Sequence, residues 1–187
     1  MARSQGLSMP KLAQVGLYVK DMAKATRRYE ELFGIGPWLV LEGETVSCVD
    51  RGCEVNIKGR IAMGYSGKIQ FELIQILEGS NLYLDTLGGL EEGIHHLGFA
   101  VHDLEERLEA CREAGIEVLQ RGTLKQLGMT IDYAYLDTLD QVGVIMEFIQ
   151  SRFLGFKTKQ APWMLKTIAR MQRRLGIPPD PLNREKG

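Results

Sequence analysis

The chain has 187 residues and a mass of 21.0 kDa, room for one domain or two small halves around a shared core at roughly 100–200 residues per domain. With 44% hydrophobic and 25% charged residues it has a packed globular composition, which excludes disordered, collagen-like and mucin-like chains; no apolar run approaches the ~18 residues of a bilayer span and no signal-peptide core opens the chain, so the expected compartment is the cytoplasm. The 24 acidic and 23 basic residues nearly cancel, but residues 152–187 hold nine Lys/Arg against two Asp/Glu, a tail of +7 on a body of −8; without a recognition motif beside it, this excess makes neither nucleic acid nor membrane an expected partner.

The first strand-like segment is Gln14-Val15-Gly16-Leu17-Tyr18-Val19-Lys20-Asp21. Val15, Leu17 and Val19 share one apolar face, which leaves Gln14, Gly16 and Tyr18 on the other. Asp21 stands where a helix N-cap is expected, Met22, Ala25, Tyr29, Leu32 and Phe33 recur at helical spacing, and Gly34 is a suitable stop. Further strand-like segments lead to Phe71-Glu72-Leu73-Ile74-Gln75, which sets one glutamate among apolar residues. A Gly/Glu-rich linker spans residues 87–93.

The pattern then repeats. His96-Leu97-Gly98-Phe99-Ala100-Val101-His102-Asp103 matches the first strand at an offset of 82, with its own polar face of His96, Gly98 and Ala100. Asp103 and Glu106 have capping-box spacing, and Leu104, Leu108, Cys111 and Ala114 predict a second helix ending near Gly115. Met146-Glu147-Phe148-Ile149-Gln150 repeats the glutamate strand at an offset of 75. Two paired βαβββ units result, an α+β fold with a curved, barrel-like mixed sheet around a cavity. The units run from about 10 to 86 and from 94 to 151, and residues 152–187 form a basic extension. Its helix is expected to start near Pro162 and to bury Met164, Ile168, Met171 and Leu175 on the body or on a second subunit. Cys48, Cys53 and Cys111 form no Cys-x-x-Cys pair and read as reduced packing residues.

A carboxylate buried in an apolar strand loses its hydration unless it finds a partner, and here this happens at two equivalent positions. Gln14 and His96 are also equivalent and lie on the faces that Gly16, Gly98 and Ala100 keep open. Gln14, Glu72, His96 and Glu147 together make one imidazole and three oxygen donors, a set suited to one divalent ion such as zinc, manganese, cobalt, nickel or magnesium. The adjacent His95 has the opposite strand parity and ranks below His96.

These segments, with Ala134-Tyr135-Leu136-Asp137-Thr138, resemble the vicinal oxygen chelate superfamily over roughly residues 10 to 151. That superfamily includes glyoxalase I, methylmalonyl-CoA epimerase, extradiol dioxygenases and resistance proteins that bind bleomycin or fosfomycin. The resemblance implies metal-ligand roles for Gln14, Glu72, His96 and Glu147, and it implies a homodimer. The nearest members by ligand type are glyoxalase I and methylmalonyl-CoA epimerase; Gln14 at a histidine position argues against dioxygenase chemistry. Where glyoxalase I has an arginine and an asparagine for glutathione, this chain has Tyr18 and Ile76, which favours a more apolar substrate.

The expected function is therefore a metal-dependent isomerase, epimerase or lyase acting on a small molecule next to a carbonyl, through a stabilised enolate. Glu147 and Glu72 are the candidate proton-transfer residues, and Tyr18, Tyr135 and Ile76 the candidate substrate contacts. The alternative is a non-catalytic binder of the same fold, whose cavity Ile74, Ile76 and Ile149 line and to which Trp38 and Trp163 add aromatic walls.

Overall fold

The computed structural model describes residues 7–158 and 162–176, with backbone alone for 162–164. The first half runs β1 (Leu12–Tyr18), α1 (Met22–Phe33), β2 (Leu39–Glu44), two short strands β3 (Ser47–Asp50) and β4 (Cys53–Glu54), then β5 (Ile57–Ser66) and β6 (Ile69–Gly79). After α2 (Leu82–Thr86) the second half runs β7 (Gly93–Ala100), α3 (Leu104–Glu113), β8 (Val118–Gln126), β9 (Met129–Leu136), α4 (Leu139–Val142) and β10 (Ile145–Phe153). The chain continues through β11 (Phe156–Thr158) to α5 (Pro162–Arg174). Among the described residues, no helix is long and apolar enough to cross a membrane.

The strands form one mixed sheet in the order β2-β5-β6-β1-β7-β10-β9-β8-β3-β4, with β11 paired to β10. It curves into a half-barrel flanked by helices, as the two βαβββ repeats require. Its centre is a local two-fold. Antiparallel β1 and β7 set Gln14 opposite Gly98 and Gly16 opposite His96; parallel β6 sets Glu72 opposite Gly16, and parallel β10 sets Glu147 opposite Gly98. Both halves pair within one chain, so all four polar residues belong to the same subunit.

The alternation of the first strand of each half decides which face takes the helices. Leu17 and Val19 pack with Met22, Trp38, Val40 and Leu73 under α1. Phe99 packs with Leu104, Leu108, Cys111 and Phe148 under α3. Each large apolar side chain buried there stabilises the fold by about 1.5–3 kcal/mol. Asp21 caps α1 by accepting the Lys24 N–H at 2.9 Å, and Asp103 caps α3 by accepting that of Glu106 at 3.2 Å. Gly34 ends α1 at φ 66°, a left-handed conformation that costs glycine little. Leu32 and Phe33, on the predicted apolar stripe of α1, are instead exposed.

Two features depart from the repeat. The excursion after β2 crosses to the other half, where β3 pairs with β8 from Ser47 opposite Thr123 to Asp50 opposite Gln120. A strand of the first half thereby completes the outer rim of the second. Helix α5, for its part, packs on the body with a face rotated from the one its spacing indicates: Ile168 of the expected stripe packs there, and the Met164 side chain lies outside the described residues. Leu165 and Ala169 are buried against Leu39, Met63 and Tyr65, while Met171 and Leu175 are 56% and 71% exposed. Docking along the edge strand β2 sets this rotation: Gln172 accepts the Val40 N–H at 3.2 Å and donates to the Val40 carbonyl at 2.9 Å. The side chain thus satisfies an edge that would otherwise present open backbone groups.

Candidate functional site

The four central strands carry Gln14, Glu72, His96 and Glu147 onto one patch of the concave face. Gln14, His96 and Glu147 are buried and Glu72 is half-buried. The His96 ring lies in the volume that a Cβ at Gly16 would fill. A Cβ at Gly98 would stand 2.9 Å from Gln14 Cβ and 3.0 Å from Glu147 Oε2. Both glycines are therefore needed for the side chains of the opposite strands to fold over them. The open faces inferred from the sequence are occupied by the candidate ligands themselves.

His96 Nε2 lies 3.1 Å from Glu147 Oε2 and 3.6 Å from Glu72 Oε2. Neither His96 Nε2 nor Glu147 Oε2 is aligned with a hydrogen-bond partner, although buried polar atoms ordinarily find one. Two donors each about 2.1 Å from a shared ion stand about 3.0–3.4 Å apart in octahedral or tetrahedral geometry, so the His96–Glu147 spacing fits adjacent ligands and the His96–Glu72 spacing is slightly longer. The Gln14 amide hydrogen-bonds Glu72, and its Oε1 faces Gly98 beside Glu147. Among the described residues, no three His, Cys, Asp or Glu side chains already close into a metal-ligating group; Gln14 stands outside those residue types.

Burial, and then the charge of Glu147, push the Glu72 carboxyl up to about 7, against the opposing pull of His96 and of the Gln14 hydrogen bond. Burial disfavours a charged His96, but the carboxylates of Glu147 and Glu72 outweigh it and raise the imidazole above its ordinary value.

His95 joins this group, contrary to its strand parity. The β1–β7 register slips between Gly16 opposite His96 and Leu17 opposite Ile94, so His95 is the extra residue of a bulge and turns inward, as bulges re-aim side chains. The two histidines meet Nδ1 to Nδ1 at 3.0 Å, which leaves Nε2 of His96 to face the carboxylates. Burial, and next the charge of His96, depress His95 to about 2, so it stays neutral.

The patch forms the floor of a cavity of about 110 Å³, smaller than the roughly 300–1,000 Å³ of sites for drug-sized ligands. Gln14, Glu72 and Glu147 reach it below aliphatic walls that include Leu41, Ile61, Ile74, Ile76, Leu124 and Ile131, and Leu165 of α5 lines it as well. Tyr135 and Tyr83 line it beside the carboxylates, with hydroxyls 3.0 Å apart. Burial raises both phenols well above their ordinary value.

Gln14, Glu72, Glu147, Tyr135 and Ile76 line this cavity, while His96 is fully buried beside it with Nε2 toward the two carboxylates. Tyr18 packs behind it, stacked on Tyr83 with ring centroids 5.9 Å apart and its hydroxyl accepting from Asn81. Trp38 is no part of the wall: Leu39 and Leu41 point inward, so Trp38 points outward and meets Tyr29 of α1 edge-on at 6.0 Å. The Trp163 side chain lies outside the described residues. Sequence reasoning overlooked Tyr83, which α2 at the end of the first half inserts; the apolar pair Leu82 and Tyr83 after the Asn81 cap was the available signal.

The fold and the site define a paired-βαβββ protein with a cupped, carboxylate-bearing pocket. Residues 13–135 match the Glyoxalase/Bleomycin resistance protein/Dioxygenase superfamily, and the chain belongs to it. It is 24% identical over 147 residues to the uncharacterized protein YqjC of Bacillus subtilis (strain 168), covering 77% of this chain and 94% of that one. Among solved structures, a hypothetical protein from Bacillus halodurans C-125 is similar at TM-score 0.52 and 22% identity, over 81% of this chain and 96% of its own. Methylmalonyl-CoA epimerase from Mycobacterium tuberculosis is similar at TM-score 0.52 and 21% identity, over 78% and 93%. These two likenesses carry the fold.

Proposed function

We propose that the protein is a metal-dependent isomerase, epimerase or lyase that acts next to the carbonyl of a small, non-glutathione substrate. The observation that supports this is the inward meeting of Gln14, Glu72, His96 and Glu147, with His96 Nε2 and Glu147 Oε2 paired at 3.1 Å but not aligned for a hydrogen bond. Those four side chains would hold one divalent ion: zinc, manganese, cobalt, nickel or magnesium. Bound there, the ion supplies Lewis acidity that stabilises negative charge on a substrate oxygen.

The chain's own residues do the rest. The Glu147 carboxylate would take the proton from the carbon beside the carbonyl, and Glu72 in its protonated form, across the local two-fold, would give its own proton to that carbon, each acting while it is not serving as a ligand. His96, steadied by His95, holds its Nε2 toward the two carboxylates. Tyr135 orients the substrate, Ile76 contributes apolar wall, and Tyr18 supports Tyr83 from behind. The aliphatic walls exclude water, which strengthens the electrostatics on the floor. A homodimer is proposed in addition, and it need not share the site.

A second reading is a non-catalytic binder of an apolar small molecule. The aliphatic cavity and the lack, among the described residues, of a closed His/Cys/Asp/Glu group favour it. Metal stoichiometry of untagged protein by mass spectrometry separates the two. One divalent ion per chain, lost in both His96→Ala and Glu147→Ala, supports the enzyme and leads to solvent-deuterium exchange into carbonyl compounds. No ion after reconstitution overturns it.

A further inference from the structure

Three phenols line the cavity; Tyr133 donates its hydroxyl hydrogen to Gln120 at 3.2 Å, and the other two, Tyr83 and Tyr135, stand beside the carboxylates. Tyr135 of β9 stands directly opposite Glu147 in the β9–β10 register, and Tyr83 reaches the same place from α2. Their hydroxyl oxygens are 3.0 Å apart, and no other hydrogen bond of either hydroxyl is found among the described residues. Each phenol carries one O–H hydrogen. One hydrogen is used within the pair, so one is left over with no protein acceptor. A buried donor left unsatisfied costs about 1–3 kcal/mol, a cost that a ligand oxygen in the cavity would relieve.

The rings are held for this role. His95 packs on Tyr83 at 4.4 Å and on Tyr135 at 5.1 Å between centroids, and Tyr18 stacks on the far side of Tyr83. The pair therefore presents its spare hydrogen from a fixed position, as preorganised donors do where negative charge develops on oxygen. Above it the walls are aliphatic, and no Lys or Arg is among the lining residues. An anionic group entering that space would lose hydration with no Lys or Arg beside it to compensate.

We infer that the Tyr83–Tyr135 hydroxyl pair is the donor to the substrate's carbonyl oxygen, and that the aliphatic cavity selects a compact, uncharged ketone or acyl group. This inference rests on the carbonyl reading of the site but not on its metal. Either tyrosine alone retains one free hydroxyl, so the two substitutions are strongly non-additive.

The test is difference infrared spectroscopy of cyclopentanone, isotopically labelled at its carbonyl carbon, on metal-free protein, with pyruvate as the charged comparator. Expected are saturable binding of the ketone with its carbonyl stretch shifted below the value in hexane, retention of most of that shift in Tyr83→Phe and in Tyr135→Phe, and its loss in the double variant. Pyruvate is expected not to bind. An unchanged shift in the double variant, no binding of ketone by wild type, or preferred binding of pyruvate overturns the inference. Wild type provides a readout free of folding effects: on saturation with ketone, one slowly exchanging phenol proton moves downfield in the NMR spectrum, and an unmoved set overturns the proposal. Failure of the metal reading looks different. Protein that takes up no ion but keeps the ketone signature loses the isomerase mechanism and keeps this donor; protein that binds zinc without the signature does the reverse.

Discussion

Gly16 and His96 occupy one another's space, which makes a methyl group at residue 16 a sensitive probe of the site. The added Cβ falls inside the imidazole, and overpacking of this kind costs about 1–3 kcal/mol. Gly16→Ala is expected to displace His96 and weaken zinc binding by at least about tenfold, one unit of 1.4 kcal/mol, as read by calorimetric titration; wild-type affinity would place the ring elsewhere. Glu72 provides a second probe. Its carboxyl rises from 4.5 to about 7, chiefly through burial and then through Glu147, so it holds its proton more tightly folded than unfolded. In metal-free protein its contribution to stability is fully present below about pH 4.5 and is lost as pH rises through about 7. The melting temperature of metal-free wild type is expected to fall across that window, and to fall less steeply in Glu72→Gln. At this scale the four candidate ligands were legible because they form two equivalent pairs, Gln14 with His96 at an offset of 82 and Glu72 with Glu147 at an offset of 75. His95 was not, because a bulge overrides strand parity and depends on the partner strand's register.

Among the elements, α5 has the most to reveal. Its two bonds from Gln172 to Val40 seal the free edge of β2, and each such bond contributes about 0.5–1.5 kcal/mol. Gln172→Ala is expected to destabilise by about 1–3 kcal/mol on that basis and to speed hydrogen exchange at the Val40 amide, while Leu175→Ser, at an exposed position, stays within about 0.5 kcal/mol of wild type. Equal exchange at Val40 in both variants would detach α5 from the edge. Helices α1 and α3, their aspartate caps and the strands bearing Gln14 and His96 were readable from period and cap chemistry. The docked face of α5 was not, since residues on either side of the apolar stripe satisfy the spacing and only contact with β2 selects Leu165 and Ala169. The crossing of β3 was equally hidden, because pairing with β8 is a contact between distant segments.

For the whole molecule, intrachain pairing of β1 with β7 puts every candidate ligand in one subunit. Metal stoichiometry is therefore expected to stay at one ion per chain as the protein is diluted through any dimer dissociation, checked by mass spectrometry alongside sedimentation; loss of the ion on dilution would mean that a partner completes the site. The sequence by itself determined the paired units, the curved sheet and the four polar residues at equivalent strand positions, because duplication writes long-range equivalence into local spacing. Tertiary structure alone decided which groups meet. It turned His95 inward, brought Tyr83 from α2 to Tyr135, sent Trp38 to the outer core and set Leu165 of α5 over the cavity. These outcomes follow from register, bulges and docking, which are properties of strands and helices in contact and leave no periodic trace in the chain.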